Sequence, residues 1–163
     1  MLAGLLLAEA GMHDGLNCVQ TQSYGPEARL GSAKSDVILS SAEIAFPQVV
    51  QPDLLLCLSR DSYLKYGTNL VEGGMRIVDS SVTFDVDVTD SIVLPIVDTA
   101  EQVGGAISAN VVSLGVITTL RDLVSEASLR RCLEQRVKPK HLALNIRAFE
   151  AGIELASAVG ATR

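Results

Sequence analysis

The sequence predicts an α/β domain built in three layers, on three observations. First, "PDLLLCLS" (Pro52–Ser59) and "MRIVDSS" (Met75–Ser81) are short, continuous apolar runs, the texture of strands covered on both faces. Second, these runs alternate with segments that carry helix start and stop signals, the arrangement of helices layered on a sheet. Third, strand candidates at Asn17–Gln22 and Ser32–Ser40 stand too close in the chain for a helical crossover, so part of a mixed sheet is expected to be antiparallel. Residues 1–163 are expected to form one domain around a single core.

The elements follow in order. "MLAGLLLAEAG" reads as a helix apolar nearly all round, and therefore buried. Its apolar stretch, Leu2–Ala8, has no basic residues ahead of it, so it is not read as a secretion signal. Asp14-Gly15 turn the chain into the first strand, and Val37-Ile38-Leu39 form the apolar centre of the second. "RDSYLKYGTNL" reads as a helix started by Ser59 or Asp61, and Gly73-Gly74 turn the chain into the Met75 strand. "DSIVLPIV" is a short last strand, with Pro95 marking its end or a sheet edge. Thr99 to Gln102 has capping-box spacing and Gly104-Gly105 would close that helix. Asn110 is placed to cap an almost wholly apolar, central helix, Val111–Leu120. Ser125 opens the next helix, with Leu129, Cys132 and Leu133 on one face and cationic Arg136 and Lys138 at its end before Pro139. In the last helix Leu142, Ile146, Phe149, Ile153 and Ala156 form one stripe. Gly115 and Gly152 lie inside helices, where glycine costs about 1 kcal/mol against alanine; close helix–helix or subunit packing is the expected reason.

Composition excludes several functions. The net charge is −6, aromatics are 4% and tryptophan is absent, which removes both the basic footprint and the stacking surface of nucleic-acid binders. No window approaches the ~18–20 apolar residues of a membrane span. Cys18, Cys57 and Cys132 are far apart, with no C-x-x-C and no Cys/His spacing suited to zinc or an iron–sulfur cluster. They read as small hydrophobes in a reducing cytoplasm, so no metal site is expected, and electron carriers for any redox chemistry belong to another chain.

The segment that asks for an explanation is "TQSYGPEARLGSAKSDVILS" (Thr21–Ser40). Gly25-Pro26 set a turn, Glu27 and Arg29 project from it, and Arg29 and Lys34 suit an anion, Arg by its bidentate fork. Thr21, Gln22, Ser23 and Tyr24 add neutral hydrogen-bonding groups. The plain alternative is a solvated or subunit-interface Glu27–Arg29 ion pair of little energetic weight. No catalytic residue is assigned: His13 falls at a helix end and His141 at a helix start, where surface or capping roles suffice. Asn110 is kept as a secondary candidate beside its capping role.

This loop, "NVVSLGVI" (Asn110–Ile117), "LNIRAFEAGIELA" (Leu144–Ala156) and "PDLLLCLSRDSYLKY" resemble, in order and across essentially the whole chain, the gamma subunit of 2-oxoacid:ferredoxin oxidoreductases, the pyruvate ferredoxin oxidoreductase gamma-domain family. The wording of the loop is closest to subunits acting on 2-oxoglutarate and branched-chain oxoacids. The resemblance implies a Rossmann-like α/β/α fold and a role in coenzyme A-dependent oxidative decarboxylation of a 2-oxoacid, with ferredoxin as electron acceptor. It implies that thiamine diphosphate, magnesium and iron–sulfur clusters reside in partner alpha and beta subunits, with a delta or ferredoxin-like subunit in some complexes. None is expected on this chain alone, and "HDGLN" (His13–Asn17) lacks the pattern of a thiamine-binding motif. The expected role is structural, or near the coenzyme A site through the Thr21–Lys34 loop.

Two departures stand out. The family usually opens with a strand and a glycine-rich turn before the helix that here begins at Met1; the expectation is a shortened chain with a gap in the sheet or an exposed edge. Leu30 stands where the family more often has a second glycine, which permits φ > 0 at little cost. The competing reading is a free-standing nucleotide- or coenzyme A-binding Rossmann-like module, against which the absence of G-x-G-x-x-G counts. A structural remnant without activity is the third.

Overall fold

The computed structural model describes residues 2–24, 33–84 and 86–160. Its helices are α1 (Leu2–His13), α2 (Arg60–Tyr66), α3 (Ile96–Val103), α4 (Ala109–Leu120), α5 (Glu126–Arg136) and α6 (Pro139–Gly160). Its strands are β1 (Asn17–Tyr24), β2 (Ala33–Ser40), β3 (Leu54–Cys57), β4 (Met75–Asp79) and β5 (Ile92–Leu94). Short 3₁₀ turns cover Ser80–Phe84 and Ala106–Ser108. The mixed α/β character is as expected. Antiparallel and parallel pairing are both present, but in two sheets rather than one: β1 and β2 form an antiparallel hairpin, and β3, β4 and β5 a parallel sheet in that order.

That division changes the environment of β3. Its leucines were expected to be covered on both faces, yet Leu54, Leu55 and Leu56 are half-buried and only Cys57 is fully buried. The reason is position: β3 is an edge strand, hydrogen-bonded on one side to β4. Ile77 and Val78 on the central strand β4 are completely buried, as a middle strand requires.

The core lies where α1, α4, α5 and α6 meet the sheets. Leu6, Ile77, Ile96, Leu114, Leu129, Leu133 and Phe149 are its largest fully buried side chains. Four of the five residues of the stripe read on α6 pack, with Phe149 and Ala156 buried and Ile146 and Ile153 against the core; Leu142, in the first turn, is half-buried outside that cluster. Burying Phe149 alone is worth about 1.5–3 kcal/mol. α4 is central, as its composition requires: every residue from Val111 to Ile117 is buried. α4 and α6 cross with their backbones in contact. A Cβ on Gly115 would stand 2.8 Å from the Ile153 nitrogen, and one on Gly152 would overlap the Val112 carbonyl. Here the helix-propensity cost of glycine is exchanged for close approach, as expected. α1 uses the same device against the hairpin, since a Cβ on Gly11 would lie 2.7 Å from Leu39 and 2.8 Å from the Cys18 sulfur.

Three helix starts are set by side chains. Ser59 caps α2 in a reciprocal box with Ser62, at 3.2 Å each way. Ser125 caps α5, accepting from the Ser128 N–H at 3.2 Å, and Pro139 becomes the first residue of α6, where its missing N–H costs nothing. α3 begins three residues before the expected Thr99 box. The carboxylate of Asp79, at the end of β4, accepts from the Val97 N–H at 2.8 Å and fixes the helix start there, while Thr99 donates back to the Pro95 carbonyl. Asn110 does not cap α4. Ser108 holds the N-cap position without a side-chain bond, and Asn110 lies in the first turn with a buried Oδ1 that has no partner.

Candidate functional site

Of the residues singled out by sequence, Asn110 lies in α4, whereas Thr21, Gln22, Ser23, Tyr24 and Lys34 lie toward the far end of the β1–β2 hairpin. Its register sets Thr21 opposite Asp36, Gln22 opposite Ser35, Ser23 opposite Lys34 and Tyr24 opposite Ala33. Thr21, Gln22 and Ser23 are exposed; the alternation of the strand sets Thr21 and Ser23 on the face of Lys34 and Gln22 on the opposite face beside Ser35. Gly25, Pro26, Glu27 and Arg29 lie outside the described residues, as does the expected Glu27–Arg29 pair.

Lys34 is not a free cation awaiting a ligand. Its ammonium nitrogen sits 2.8 Å from Asp36 Oδ2, two residues along the same strand face, and the side chains remain 31% and 21% exposed. At that exposure the pair is worth at most about 1 kcal/mol, so its effect is positional: it fixes where the ammonium points. The same nitrogen stands 5.3 Å from the centre of the Tyr66 ring at the end of α2, and Lys65 stands 5.2 Å from that ring. Two cations therefore meet one aromatic ring, within the distance at which the ring's negative face attracts them. Sequence reasoning singled out Lys34 and passed over Lys65 and Tyr66. "DSYLKYG" reads as an ordinary short helix, and no spacing links position 34 to position 66; only the docking of α2 beside the hairpin does.

Other polar sites are internal fittings. Asp79, 1% exposed, accepts from Ser81 N–H at 2.9 Å and Ser81 O–H at 2.5 Å on one oxygen and from Val97 N–H on the other. It occupies the α3 N-terminus, the place where an open α/β sheet would offer N–H groups to a phosphate. Asp14 ties the turn after α1 to the start of α5, accepting from Ser125 N–H at 2.5 Å, Ser125 O–H at 2.8 Å and Ser128 O–H at 2.5 Å. Burial pushes the Asp14 carboxyl up, but the bonds from Ser128 and Ser125 outweigh it and hold the group below the usual carboxylate value. An open depression between the ends of α1 and α5 is lined by Glu9, Met12, His13, Gln135 and Arg136, and a Glu9–Arg136 ion pair lies there. His13 and His141 are exposed at helix ends, as read. Cys57 and Cys132 are buried, whereas Cys18 is half-buried against α1. Among the described residues no group of three His, Cys, Asp or Glu side chains is disposed to hold a metal ion, and the N-termini of α2, α3 and α5 are taken by the protein's own Ser59, Asp79 and Ser125.

The described surface is thus an α/β scaffold that displays cationic, hydroxyl and aromatic groups at a hairpin end. The chain belongs to the pyruvate ferredoxin/flavodoxin oxidoreductase family, whose model matches residues 1–155. It is 40% identical to the 2-oxoglutarate synthase subunit KorC of Methanocaldococcus jannaschii, over 96% of this chain and 87% of the relative. It is 31% identical to the ketoisovalerate oxidoreductase subunit VorA of Methanothermobacter thermautotrophicus, over 94% of this chain but only 33% of that protein. Among solved structures, the gamma subunit of a keto/oxoacid ferredoxin oxidoreductase from Geobacter sulfurreducens superposes with a TM-score of 0.83 at 38% identity, covering 96% of this chain and 90% of the other. A 2-oxoglutarate:ferredoxin oxidoreductase from Magnetococcus marinus, solved with 2-oxoglutarate, coenzyme A and succinyl-CoA bound, shares the fold at a TM-score of 0.84 and 24% identity; the match is 28% of its chain.

Proposed function

We propose that this protein is the gamma subunit of a 2-oxoacid:ferredoxin oxidoreductase, most closely of the 2-oxoglutarate type, and that it works only within the assembled enzyme. The observation that carries this reading is near-full-length similarity to KorC subunits. In the reaction a 2-oxoacid loses carbon dioxide, its acyl group passes to coenzyme A, and the released electrons pass to ferredoxin. Thiamine diphosphate, magnesium and iron–sulfur clusters supply the carbanion and electron chemistry from the alpha and beta subunits, and where present a delta subunit. This chain supplies a rigid surface beside the coenzyme A region, with Thr21, Gln22, Ser23, Tyr24, Gly25, Pro26, Glu27, Arg29 and Lys34 in the contact loop and Asn110 as a secondary contact. The complex works in the cytoplasm.

The length of the relatives supports a particular partner. The segment matching this chain makes up a third of VorA and 28% of the Magnetococcus chain, whereas it fills most of KorC. A module that is fused in some relatives and separate in others is expected to bind, as a separate chain, the counterpart of the remaining two-thirds. The free-standing nucleotide module gains no support, because Asp79 occupies the α3 N-terminus.

The test is co-expression with the neighbouring genes and purification through a tag on this chain. The product is assayed with 2-oxoglutarate, pyruvate or 2-oxoisovalerate, coenzyme A and a viologen dye. A brown complex that reduces dye only with both oxoacid and coenzyme A supports the assignment, and the preferred oxoacid names the substrate. A chain that purifies alone and colourless beside soluble partner subunits refutes it.

A further inference from the structure

We infer that the link between α5 and α6, with the first turns of α6, is a docking surface for an acidic protein that binds and leaves, the electron acceptor of the proposed reaction. The identity of that partner rests on the assignment above; the surface rests on the structure. Between Arg130 and Arg147 stand six of the chain's 13 lysines and arginines and a single acidic residue, Glu134. Two of the six are held within the fold: Arg130 bonds Glu126 at 2.8 Å and Glu150 at 3.0 Å, and Arg136 pairs with Glu9. Arg131, Lys138, Lys140 and Arg147 are exposed. Among the described residues no carboxylate reaches ion-pair distance of any of these four. Unanswered positive charge is thus gathered in one stretch of a chain whose net charge is −6.

Helix geometry groups these cations. α5 ends at Arg136 and α6 begins at Pro139, so Lys138 and Lys140 stand at the link. Lys140, Ala143 and Arg147 follow at spacings of three and four, which is one face of a helix, and all three are exposed. The placement is unfavourable for α6 itself. A helix N-terminus carries partial positive charge and favours acids, yet the first turn of α6 holds none and its second and third residues are Lys140 and His141. An acidic partner reverses the sign of that arrangement, because it meets the cations and the positive end of the helix together. The surface also has the texture of a passing contact. None of the large apolar side chains exposed among the described residues lies in α5 or α6, whereas permanent interfaces are apolar at their centre. A basic, polar surface steers an acidic partner in and loosens with salt, which suits a carrier that must depart after each transfer. The electrons leave from clusters assigned above to other subunits, so this surface holds the carrier and does not conduct.

The assembled enzyme tests this with two acceptors, a viologen dye and a ferredoxin of net negative charge. The double variant K140E/R147E should raise the KM for ferredoxin roughly tenfold, and K140Q/R147Q about threefold, and both should flatten its rise with added salt. Dye reduction and the KM values for oxoacid and coenzyme A should stay unchanged. An unchanged KM for ferredoxin overturns the proposal. So does loss of assembly by a variant that melts like the unmodified chain, because the surface would then belong to a permanent partner. Failure of the unmodified chain to assemble marks failure of the gamma-subunit assignment instead, and the isolated full chain then decides. Titration of the isotope-labelled chain with the same ferredoxin should shift the amide resonances of residues 138–147; shifts elsewhere, or none, overturn the docking surface.

Discussion

Replacing Gly152 by alanine sets sequence logic and structure against each other with opposite signs. In an exposed helix interior, glycine to alanine stabilises by about 1 kcal/mol. In α6 the new Cβ would overlap the Val112 carbonyl oxygen and stand 2.9 Å from the Val112 carbon and 3.1 Å from the Gly115 Cα. All three neighbours are backbone of the buried helix α4, and no flexible side-chain end is available to swing away. Relief requires α4 and α6 to separate by about 1 Å, a gap that forfeits a quarter to a half of each contact's dispersion energy along the seam. Phe149, Val111, Val112 and Val116, all fully buried, line that region. Overpacking of this kind costs about 1–3 kcal/mol, and the upper figure applies because the three neighbours are backbone that cannot swing aside; less the propensity gain of about 1 kcal/mol, the net expectation is a loss of about 2 kcal/mol. For a chain of this size that lowers the melting temperature by about 4–8 °C, read by far-ultraviolet circular dichroism. Ala143→Gly, on an exposed position of the same helix, is the control and should lose only about 1 kcal/mol. If Gly152→Ala melts at or above the unmodified protein, the α4–α6 backbone contact is wrong.

Other outcomes follow from the buried polar groups and the thiols. Asp79→Ala should destabilise by about 3 kcal/mol in urea titration, because it strands the Val97 and Ser81 N–H groups in the interior; Asp79→Asn, which keeps an acceptor oxygen, should lose less. Asp14 has a depressed folded-state pKa, so its stabilisation is present above the unfolded carboxylate value of about 3.9 and fades as pH falls through the folded value. The urea midpoint of Asp14→Asn should therefore lie below that of the unmodified chain at pH 7 and approach it in acid. A gap independent of pH would refute the carboxylate role. Burial pushes the Cys57 and Cys132 thiols up, and both side chains are enclosed. An aromatic disulfide reagent at pH 8 should modify Cys18 first in the native protein and the other two only on unfolding, as peptide mapping by mass spectrometry would report.

Helix and strand positions were legible in the sequence because they rest on local physics. The stripe from Leu142 to Ala156, the Ser125 cap and the Ser59 cap act within a turn or two of chain, where spacing alone determines which groups meet. The all-round apolarity of "NVVSLGVI" likewise signalled a central helix without reference to its neighbours. The motifs along the chain also sufficed to indicate the family, since they preserve order and wording across the whole length. What failed locally failed for a non-local reason. α3 starts at Ile96 because Asp79, seventeen residues earlier, reaches its N-terminus, and Asn110 lost the cap to a preceding 3₁₀ turn.

Tertiary structure alone decided the sheets and the grouping of Lys34 and Lys65 at the Tyr66 ring. Pairing partners are chosen by what lies beside a strand, so the single mixed sheet resolved into a hairpin and a parallel sheet, and β3 became an edge despite its run of leucines. Lys34 met Tyr66 and Lys65 because α2 docks beside the hairpin. The sequence by itself determined which segments are helices, which are strands and to which family the chain belongs; the meeting of residues 34, 65 and 66 came from packing, because contact between distant positions depends on where buried surfaces come to rest.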